Sequence, residues 1–393
     1  MLDLAGVRAR FPALQSDWIF CDNAGGSQIL GSAIDRVVEF LRGSNVQLGG
    51  SYALSALAAE RVAGGHAALA RWLHCDPSEL VIGTSTTQLL NNLALAMRAH
   101  IAPGDELVVT DCDHESNIGA WRRLAAERGA TVREWKVAPD TLALRAEDLA
   151  PLLSKRTRLV AFTQASNLVG TVHDVAAITR LVHDHGARVC VDGVAYAPHR
   201  PIDVRGWDVD YYVCSVYKIY GPHLACLYGK REHLAALAGI NHFFIEDAPY
   251  KLQPGHAPYE LVSALGAVVD YLESLDFSDV AAHERGLAAC LLDFLDGIKG
   301  VHVLGERAAS SSRVPTISFT VDGVHAADIV RAVDPYRIGI KHGDFYARRL
   351  VDRLGLGARG GVIRASMVHY NTMNEMQRLC AVLEPILTAA RAG

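Results

Sequence analysis

An aspartate and a lysine each follow a short apolar strand, and together they suggest covalent cofactor chemistry. Asp192 comes after the apolar run 187–191, and Lys218 follows a second apolar run, 210–214. Singly, the aspartate suits a helix cap and the lysine a solvated loop. A lysine amine can bond to an aldehyde, however, and an aspartate can keep a ring nitrogen protonated. The pair therefore predicts pyridoxal 5′-phosphate, with Lys218 buried because its neighbours are apolar.

Hydroxyl side chains occur where the phosphate of such a cofactor needs partners. Residues 83–87 (GTSTT) follow the apolar run 80–82 and open a helix, whose free N–H groups favour an anion. Hydroxyl residues at a helix start are usually ordinary N-caps, so the motif supports phosphate binding only in combination with Lys218 and Asp192. Ser215 lies three residues before Lys218, within reach of a phosphate. His114 follows another strand and can stack on a pyridine ring, although surface or core histidines are commoner.

The elements that must position these residues alternate between strand and helix. Strands are predicted at 104–110, 131–137 and 158–163, with helices at 117–128 and 175–182. This alternation favours an α/β fold with a mostly parallel sheet, whose carboxyl edge carries Asp192. The pattern changes near residue 254, where we predict a domain boundary before a helical stretch, a strand at 315–320 and a C-terminal helix.

Composition sets outer limits on function. The 393 residues are 50% hydrophobic and 21% charged, as in a globular protein, and the net charge of -5 gives no electrostatic case for nucleic acid or anionic membrane partners. No targeting segment and no uncharged run long enough for a membrane span are found, and no metal site is predicted. The eight cysteines are scattered without a CxxC pair, which indicates reduced thiols in a cytoplasm.

These motifs resemble the class V aminotransferase superfamily of fold-type I pyridoxal phosphate enzymes, in its cysteine desulfurase-like branch. The resemblance extends over almost the whole chain and is carried by residues 21–27 (CDNAGGS), 113–117 (DHESN), 166–171 (SNLVGT), 191–193 (VDG), 215–218 (SVYK) and 364–372 (RASMVHYNT). It implies a large cofactor-binding domain with a mostly parallel seven-stranded sheet (residues 15–253) and a smaller α+β C-terminal domain (254–393 with 1–14). It also implies a homodimer with shared active sites.

The resemblance further implies roles for individual residues. Lys218 would be the covalent anchor, Asp192 the partner of the ring nitrogen and His114 the stacking ring, and these three form the expected catalytic set. Arg364 would bind the substrate carboxylate, a task suited to a planar bidentate donor. The remaining expected cofactor contacts are Ser85, Thr86, Thr87, Asn167, Ser215, Tyr217 and His256, the last reaching toward the neighbouring subunit's phosphate. Asn167 is also expected near the substrate.

Four positions depart from the family pattern. Cysteine desulfurases carry a persulfide-forming cysteine in a flexible loop, and Tyr346 aligns with it here. No cysteine occurs between Cys290 and Cys380, so a shifted alignment does not restore one. Ala195 replaces a polar residue near the cofactor's phenolic oxygen, and His256 replaces a common threonine. Lys341 replaces an arginine near the substrate carboxylate, where it is expected to bind an anionic group of a different substrate.

The expected activity is β-elimination on a small, sulfur-containing amino acid. Lys218, once released from the cofactor, can act as a general base at Cα. A leaving group on Cβ then gives a carbon–sulfur lyase, whereas reprotonation at other carbons gives transamination, racemisation or epimerisation. An aminotransferase or amino-acid epimerase is therefore the alternative enzyme. A catalytically silent family member that binds the cofactor or a partner is the alternative outside enzymes.

Overall fold

Strands and helices alternate along the chain, as the sequence predicts. The computed structural model describes residues 2–255 and 257–389. Over those residues the strands are β1 (Ile19–Phe20), β2 (Leu80–Gly83), β3 (Glu106–Thr110), β4 (Thr131–Trp135), β5 (Thr157–Thr163), β6 (Arg188–Asp192), β7 (Tyr211–Ser215), β8 (Ala225–Gly229), β9 (Val301–Val303), β10 (Thr316–Val321), β11 (Ile338–Gly339), β12 (Lys341–Gly343) and β13 (Val362–Ser366). The α-helices there are α1 (Leu4–Ala9), α2 (Gly31–Gly43), α3 (Ala53–Trp72), α4 (Thr86–Ala96), α5 (Ser116–Arg128), α6 (Ala146–Leu149), α7 (Val175–His183), α8 (Arg231–Ala236), α9 (Tyr259–Ser263), α10 (Leu265–Glu273), α11 (Phe277–Asp296), α12 (Ala326–Val333), α13 (Arg348–Arg353) and α14 (Met373–Ala389).

A seven-stranded sheet forms the centre of the fold, and its strand order is β2-β8-β7-β6-β5-β3-β4. Strand β8 runs antiparallel to both of its neighbours, and the other adjacent pairs are parallel. The mostly parallel seven-stranded sheet expected from the sequence is confirmed. Because β6 and β7 are parallel, their carboxyl ends bring Asp192 and Ser215 to the same edge of the sheet.

Helices cover both faces of this sheet because its strands are apolar on both sides. In β6, Val189 and Val191 belong to the core on one face, whereas Cys190 belongs to the core on the other. This period of two is that of a strand. Helix α7 packs Ile178 into the first core, and α5 packs Trp121 into the second. Each fully buried side chain of this kind contributes about 1.5–3 kcal/mol.

The C-terminal part of the chain forms a smaller antiparallel sheet of order β12-β13-β10-β9, which shares a third core with α11, α12 and α14. It meets the N-terminal segment through the parallel pairing of β1 with β11. The domain boundary near residue 254 stays a prediction, and α9 and α10, which follow it, pack against α2 and α3. Within the described part of the chain, no helix is long and apolar enough to span a bilayer.

Candidate active site

A cavity of about 450 Å³ opens at the carboxyl edge of the large sheet. It brings together every cofactor contact predicted from the sequence except His256, which lies outside the described residues. The side chains that line it are Ser85, Thr86, Thr87, Asn91, His114, Glu115, Ser116, Arg123, Thr163, Asn167, Asp192, Val194, Ala195, Ser215, Tyr217, Lys218 and Tyr346. Residues from several strand ends and helix starts therefore converge on one site.

Lys218 lies at the end of a short 3₁₀ turn after β7 and is 7% exposed. Burial and, to a smaller extent, the nearby Arg364 guanidinium lower the pKa of its amine to about 8, against the raising effect of Asp192 and Asp22. A buried amine with this pKa is neutral often enough near neutral pH to act as a nucleophile or base.

Asp192 ends β6 and is buried at the base of the cavity. Its Oδ1 accepts a hydrogen bond of 2.9 Å from the N–H of Val194, which fixes the carboxyl group. Burial raises its pKa, and the Val194 hydrogen bond and the Lys218 charge oppose that rise. A carboxylate held in such a place is stabilised by a buried positive charge, such as a protonated ring nitrogen.

The hydroxyl groups at the start of α4 divide into two roles. Ser85 is the N-cap, and its Oγ accepts a hydrogen bond of 3.1 Å from the N–H of Gln88. The Oγ1 of Thr86 and the Oγ of Ser215 lie 2.8 Å apart, so the helix start and the end of β7 form one polar wall. Two hydroxyls beside a helix N-terminus suit an anionic group.

His114 also lines the cavity and lies just before α5. Its Nδ1 is 2.8 Å from the Oγ of Ser116. Burial, with the charges of Lys218 and Arg364, lowers its pKa to about 4, so the ring is neutral near pH 7. The Tyr346 ring packs against it with centroids 4.8 Å apart and planes inclined by 32°.

Arg364 is buried next to Asn167, which lines the cavity, but Arg364 itself is not among the described lining residues. Its Nη1 donates to the Asn167 carbonyl at 2.8 Å, and its Nη2 forms an ion pair with Asp22 at 2.7 Å. The Phe345 ring covers the guanidinium, with Cζ 3.7 Å from the ring centroid. The Nε of Arg364 is buried without a hydrogen-bond partner. This group therefore keeps one donor available for an anionic ligand.

Lys341 is not brought to the cavity. It lies on β12 directly opposite Arg364 on β13, but its side chain is exposed and lies outside the set of described residues that line the cavity. The predicted role at the substrate carboxylate thus has no support from its position. In contrast, Tyr346, which the alignment places at the loop cysteine, is part of the cavity wall.

Sequence reasoning missed several lining residues, among them Asn91, Arg123 and Thr163. The helical spacing of Asn91 and Arg123 could have indicated these two. Asn91 follows Thr87 by four residues on α4, and Arg123 lies two turns after Ser116 on α5, so each shares a helix face with a residue near the site. The Arg123 guanidinium donates to the Asn91 side chain and joins the two helices at the cavity mouth.

Comparison with known proteins places this site in a family. The sequence model described as "Aminotransferase class-V" matches residues 19–379. The chain belongs to the class V aminotransferase family. It is 42% identical to the aminotransferase-like protein FGM3 of Gibberella zeae, with 98% of each chain covered, and 34% identical to the cysteine desulfurase-like protein ustD of Aspergillus flavus, over 99% of this chain and 91% of that one. The structure of the cysteine desulfurase CsdA from Escherichia coli superposes with a TM-score of 0.89 at 27% identity, over 99% of this chain and 100% of that chain.

These findings confirm the class V aminotransferase, cysteine desulfurase-like identity and the fold-type I architecture predicted from the sequence. They also assign pyridoxal 5′-phosphate as the cofactor. The donor set fits that group, because the cavity combines a buried amine, a buried carboxylate and a pair of hydroxyls at a helix start. Lys218, Asp192, Thr86 and Ser215 would be the residues that hold it.

Proposed function

We propose that this class V enzyme removes the Cα proton of a small α-amino acid and eliminates a sulfur substituent from Cβ. The single observation that carries the proposal is the composition of the cavity. Lys218 and Asp192 both line it, yet none of the eight cysteines, all of them described, is a lining residue. This arrangement supports proton abstraction. It offers no lining thiol on which the enzyme could keep the leaving sulfur.

Substrate binding is proposed to begin at Arg364. Its Nε has no hydrogen-bond partner, and the guanidinium plane is fixed by the Asn167 carbonyl at Nη1 and by Asp22 at Nη2, so Nε is a positioned donor for a carboxylate oxygen. Asp22 keeps this buried guanidinium paired, which limits the cost of burying its charge. The carboxylate of the amino acid would therefore be fixed beside the Asn167 loop, with its amine directed into the cavity.

Proton transfer is proposed to use Lys218. Pyridoxal phosphate, when bound, supplies a conjugated ring that withdraws electrons from Cα of an attached amino acid. The neutral amine of Lys218 then takes the Cα proton, and the electron pair of the Cα–H bond forms the Cα–Cβ double bond as the Cβ–S bond breaks. The sulfur leaves as a thiol after gaining a proton, and hydrolysis of the remaining enamine gives ammonia and a 2-keto acid.

Product analysis tests this proposal. Enzyme reconstituted with pyridoxal phosphate is incubated with sulfur-bearing and ordinary amino acids without any keto acid, and products are identified by mass spectrometry. We expect ammonia and a keto acid that has lost its Cβ substituent, and no product from Lys218→Ala. Turnover that requires an added keto acid would establish an aminotransferase, and exchange of the Cα proton without product would favour an epimerase. No product and no proton exchange with either wild type or Lys218→Ala would indicate a catalytically silent protein, and equal turnover by both would mean that Lys218 is not the base.

We further propose a homodimer, as the family resemblance implies. A groove of about 940 Å³ next to Gly255 is bordered by exposed aromatic rings, with Phe244 69% and Tyr250 58% exposed and Phe243 92% exposed beside them. Contiguous exposed apolar surface of this kind favours protein association. Light scattering after size-exclusion chromatography is expected to give twice the chain mass, and Phe243→Ser with Phe244→Ser to shift it toward the monomer. A monomeric wild type at micromolar concentration contradicts this.

The cytoplasm stays the proposed location. All eight cysteines are free thiols, and Cys214 and Cys226 lie on adjacent strands with their sulfurs 3.1 Å apart without a bond. Reduced thiols at such a distance are expected in a reducing compartment.

A further inference from the structure

Residues 344–347, here named the roof loop, connect β12 to α13 and bring Tyr346 to the cavity in an unusual backbone conformation. Phe345 and Tyr346 have φ values of +51° and +61°, in the left-handed region that bulky side chains rarely adopt. Two consecutive residues in this region persist only where the surroundings determine their conformation. The contacts of the roof loop therefore have to hold it in place.

Each of the two strained residues is held at both its backbone and its ring. The Phe345 carbonyl accepts a hydrogen bond of 2.7 Å from the side-chain amide of Asn167, while its ring covers Arg364. The Tyr346 carbonyl accepts a hydrogen bond of 2.8 Å from the N–H of Glu115, while its ring packs on His114. The loop thus contacts the residues proposed to bind the substrate and to stack on the cofactor.

Helix α13, which follows the roof loop, is tied to the same segment that carries His114. Arg349 forms two hydrogen bonds of 3.0 Å with the two carboxylate oxygens of Glu115. Arg353, four residues later and on the same helix face, forms an ion pair with Asp111. A single exposed ion pair contributes little to stability. A bidentate pair next to a backbone hydrogen bond, however, fixes the positions of the two segments relative to each other.

We propose that Tyr346 determines substrate specificity as a fixed wall that limits the length of the Cβ substituent. The proposal deepens the proposed function and rests on it. Tyr346 is the one described lining residue that comes from the C-terminal part of the chain. Tyr346 is 69% exposed, but its ring packs on His114, and the Glu115–Arg349 and Asp111–Arg353 pairs hold its loop, so we expect the ring to stay in place against a long substituent. Glu115 and Arg349 are then positioning residues for Tyr346.

Hydrogen–deuterium exchange tests whether the loop is fixed, without any need for turnover. In the holoenzyme we expect slow exchange of the Glu115 amide, because it donates to the Tyr346 carbonyl. Arg349→Met is expected to speed exchange at least fivefold in peptides that contain Glu115 and residues 343–349. Arg348→Met is the matched control, since Arg348 pairs only with carboxylates of its own segment, mainly Asp352. Equal exchange in wild type, Arg349→Met and Arg348→Met overturns the fixed wall.

Affinity for a length series tests the specificity role. Dissociation constants for S-methyl-, S-propyl- and S-benzyl-cysteine are measured from the visible spectrum of the holoenzyme, alongside kcat and KM. We expect affinity to fall at least tenfold along the series in wild type and in Tyr346→Phe, and to become nearly flat in Tyr346→Ala. A series that is flat in wild type, or equally steep in Tyr346→Ala, overturns the proposal. Steep affinity in wild type without turnover instead contradicts the elimination chemistry and leaves the wall supported.

Discussion

The buried amine of Lys218 makes a quantitative prediction about how the protein takes up its cofactor. With a pKa of about 8, the amine is about 9% neutral at pH 7, whereas an ordinary lysine near 10.5 is about 0.03% neutral. Only the neutral amine attacks an aldehyde. Cofactor-free protein is therefore expected to bond to pyridoxal phosphate about 300-fold faster at pH 7 than its amine would without burial.

The assay is stopped-flow absorbance at pH 6.5–9.5, after mixing cofactor-free protein with pyridoxal phosphate. The rate constant is expected to rise with pH and to level off near pH 8, because the amine loses its proton at lower pH than an ordinary lysine. N-acetyl-lysine amide serves as the reference, because protonation changes of pyridoxal phosphate affect its reaction rate in the same way as they affect the rate of the protein. In Arg364→Met the midpoint should move to higher pH, because the Arg364 charge lowers the Lys218 pKa.

Two results would refute this reasoning. A protein rate that continues to rise in parallel with the reference to pH 9.5 would mean that burial does not lower the pKa of Lys218. An unchanged midpoint in Arg364→Met would mean that the guanidinium has no electrostatic effect on the amine. Lys218→Ala is the blank, and it should show no absorbance change from covalent attachment.

Three further predictions concern the site and its support. Arg364→Met should raise the amino-acid concentration for half saturation about 10- to 100-fold in a spectral titration, because charge-assisted hydrogen bonds contribute about 1.5–3 kcal/mol. Thr86→Val should weaken pyridoxal phosphate binding about tenfold in a fluorescence titration, because it removes a hydroxyl placed for the phosphate. Gly170→Ala should lower the free energy of unfolding in urea by about 2–3 kcal/mol, because φ is +76° and an added Cβ would lie 2.5 Å from the Thr316 carbonyl oxygen.

Each of these predictions has a matched control. Pyridoxal without its phosphate should bind Thr86→Val as well as wild type, and an equal loss for both ligands would argue against a phosphate contact. Gly186 has a similar φ of +74° with open space around its Cβ position, so Gly186→Ala should cost only about 1 kcal/mol. Equal costs at the two glycines would exclude a steric clash at Gly170. Unchanged saturation in Arg364→Met would remove its role at the carboxylate.

The sequence predicts those parts of the fold and site that depend on local pattern. The apolar runs that precede Asp192 and Lys218 form β6 and β7 within a residue of their predicted bounds, because a strand buried on both faces is recognisable from its residues alone. The hydroxyl run at residues 83–87 likewise opens α4. These local signals, with the family motifs, are enough to indicate the cofactor and most of the residues that line the cavity.

The other features of the fold and site depend on contacts between residues far apart in the sequence, and such contacts leave no local sequence pattern. Asp22 and Arg364 are separated by 342 positions, and neither neighbourhood indicates the ion pair between them. The left-handed conformation of Tyr346 is also hard to predict, because a bulky residue favours other conformations and the contacts with Glu115 and His114 come from a distant part of the chain. The site role of Lys341 stays a prediction from the resemblance alone, because its position on β12 leaves its side chain exposed and adds no support.

The ion pair between Asp22 and Arg364 has a consequence for how the protein is made on the ribosome. Apart from Tyr346, every described residue that lines the cavity lies between Ser85 and Lys218, so the lining residues are synthesised well before the proposed carboxylate site at Arg364 is complete. Asp22 is translated first among these groups and Arg364 last. Since domains fold as they emerge from the ribosome, the nascent chain can gain its cofactor pocket first, and becomes competent for substrate only near the end of translation.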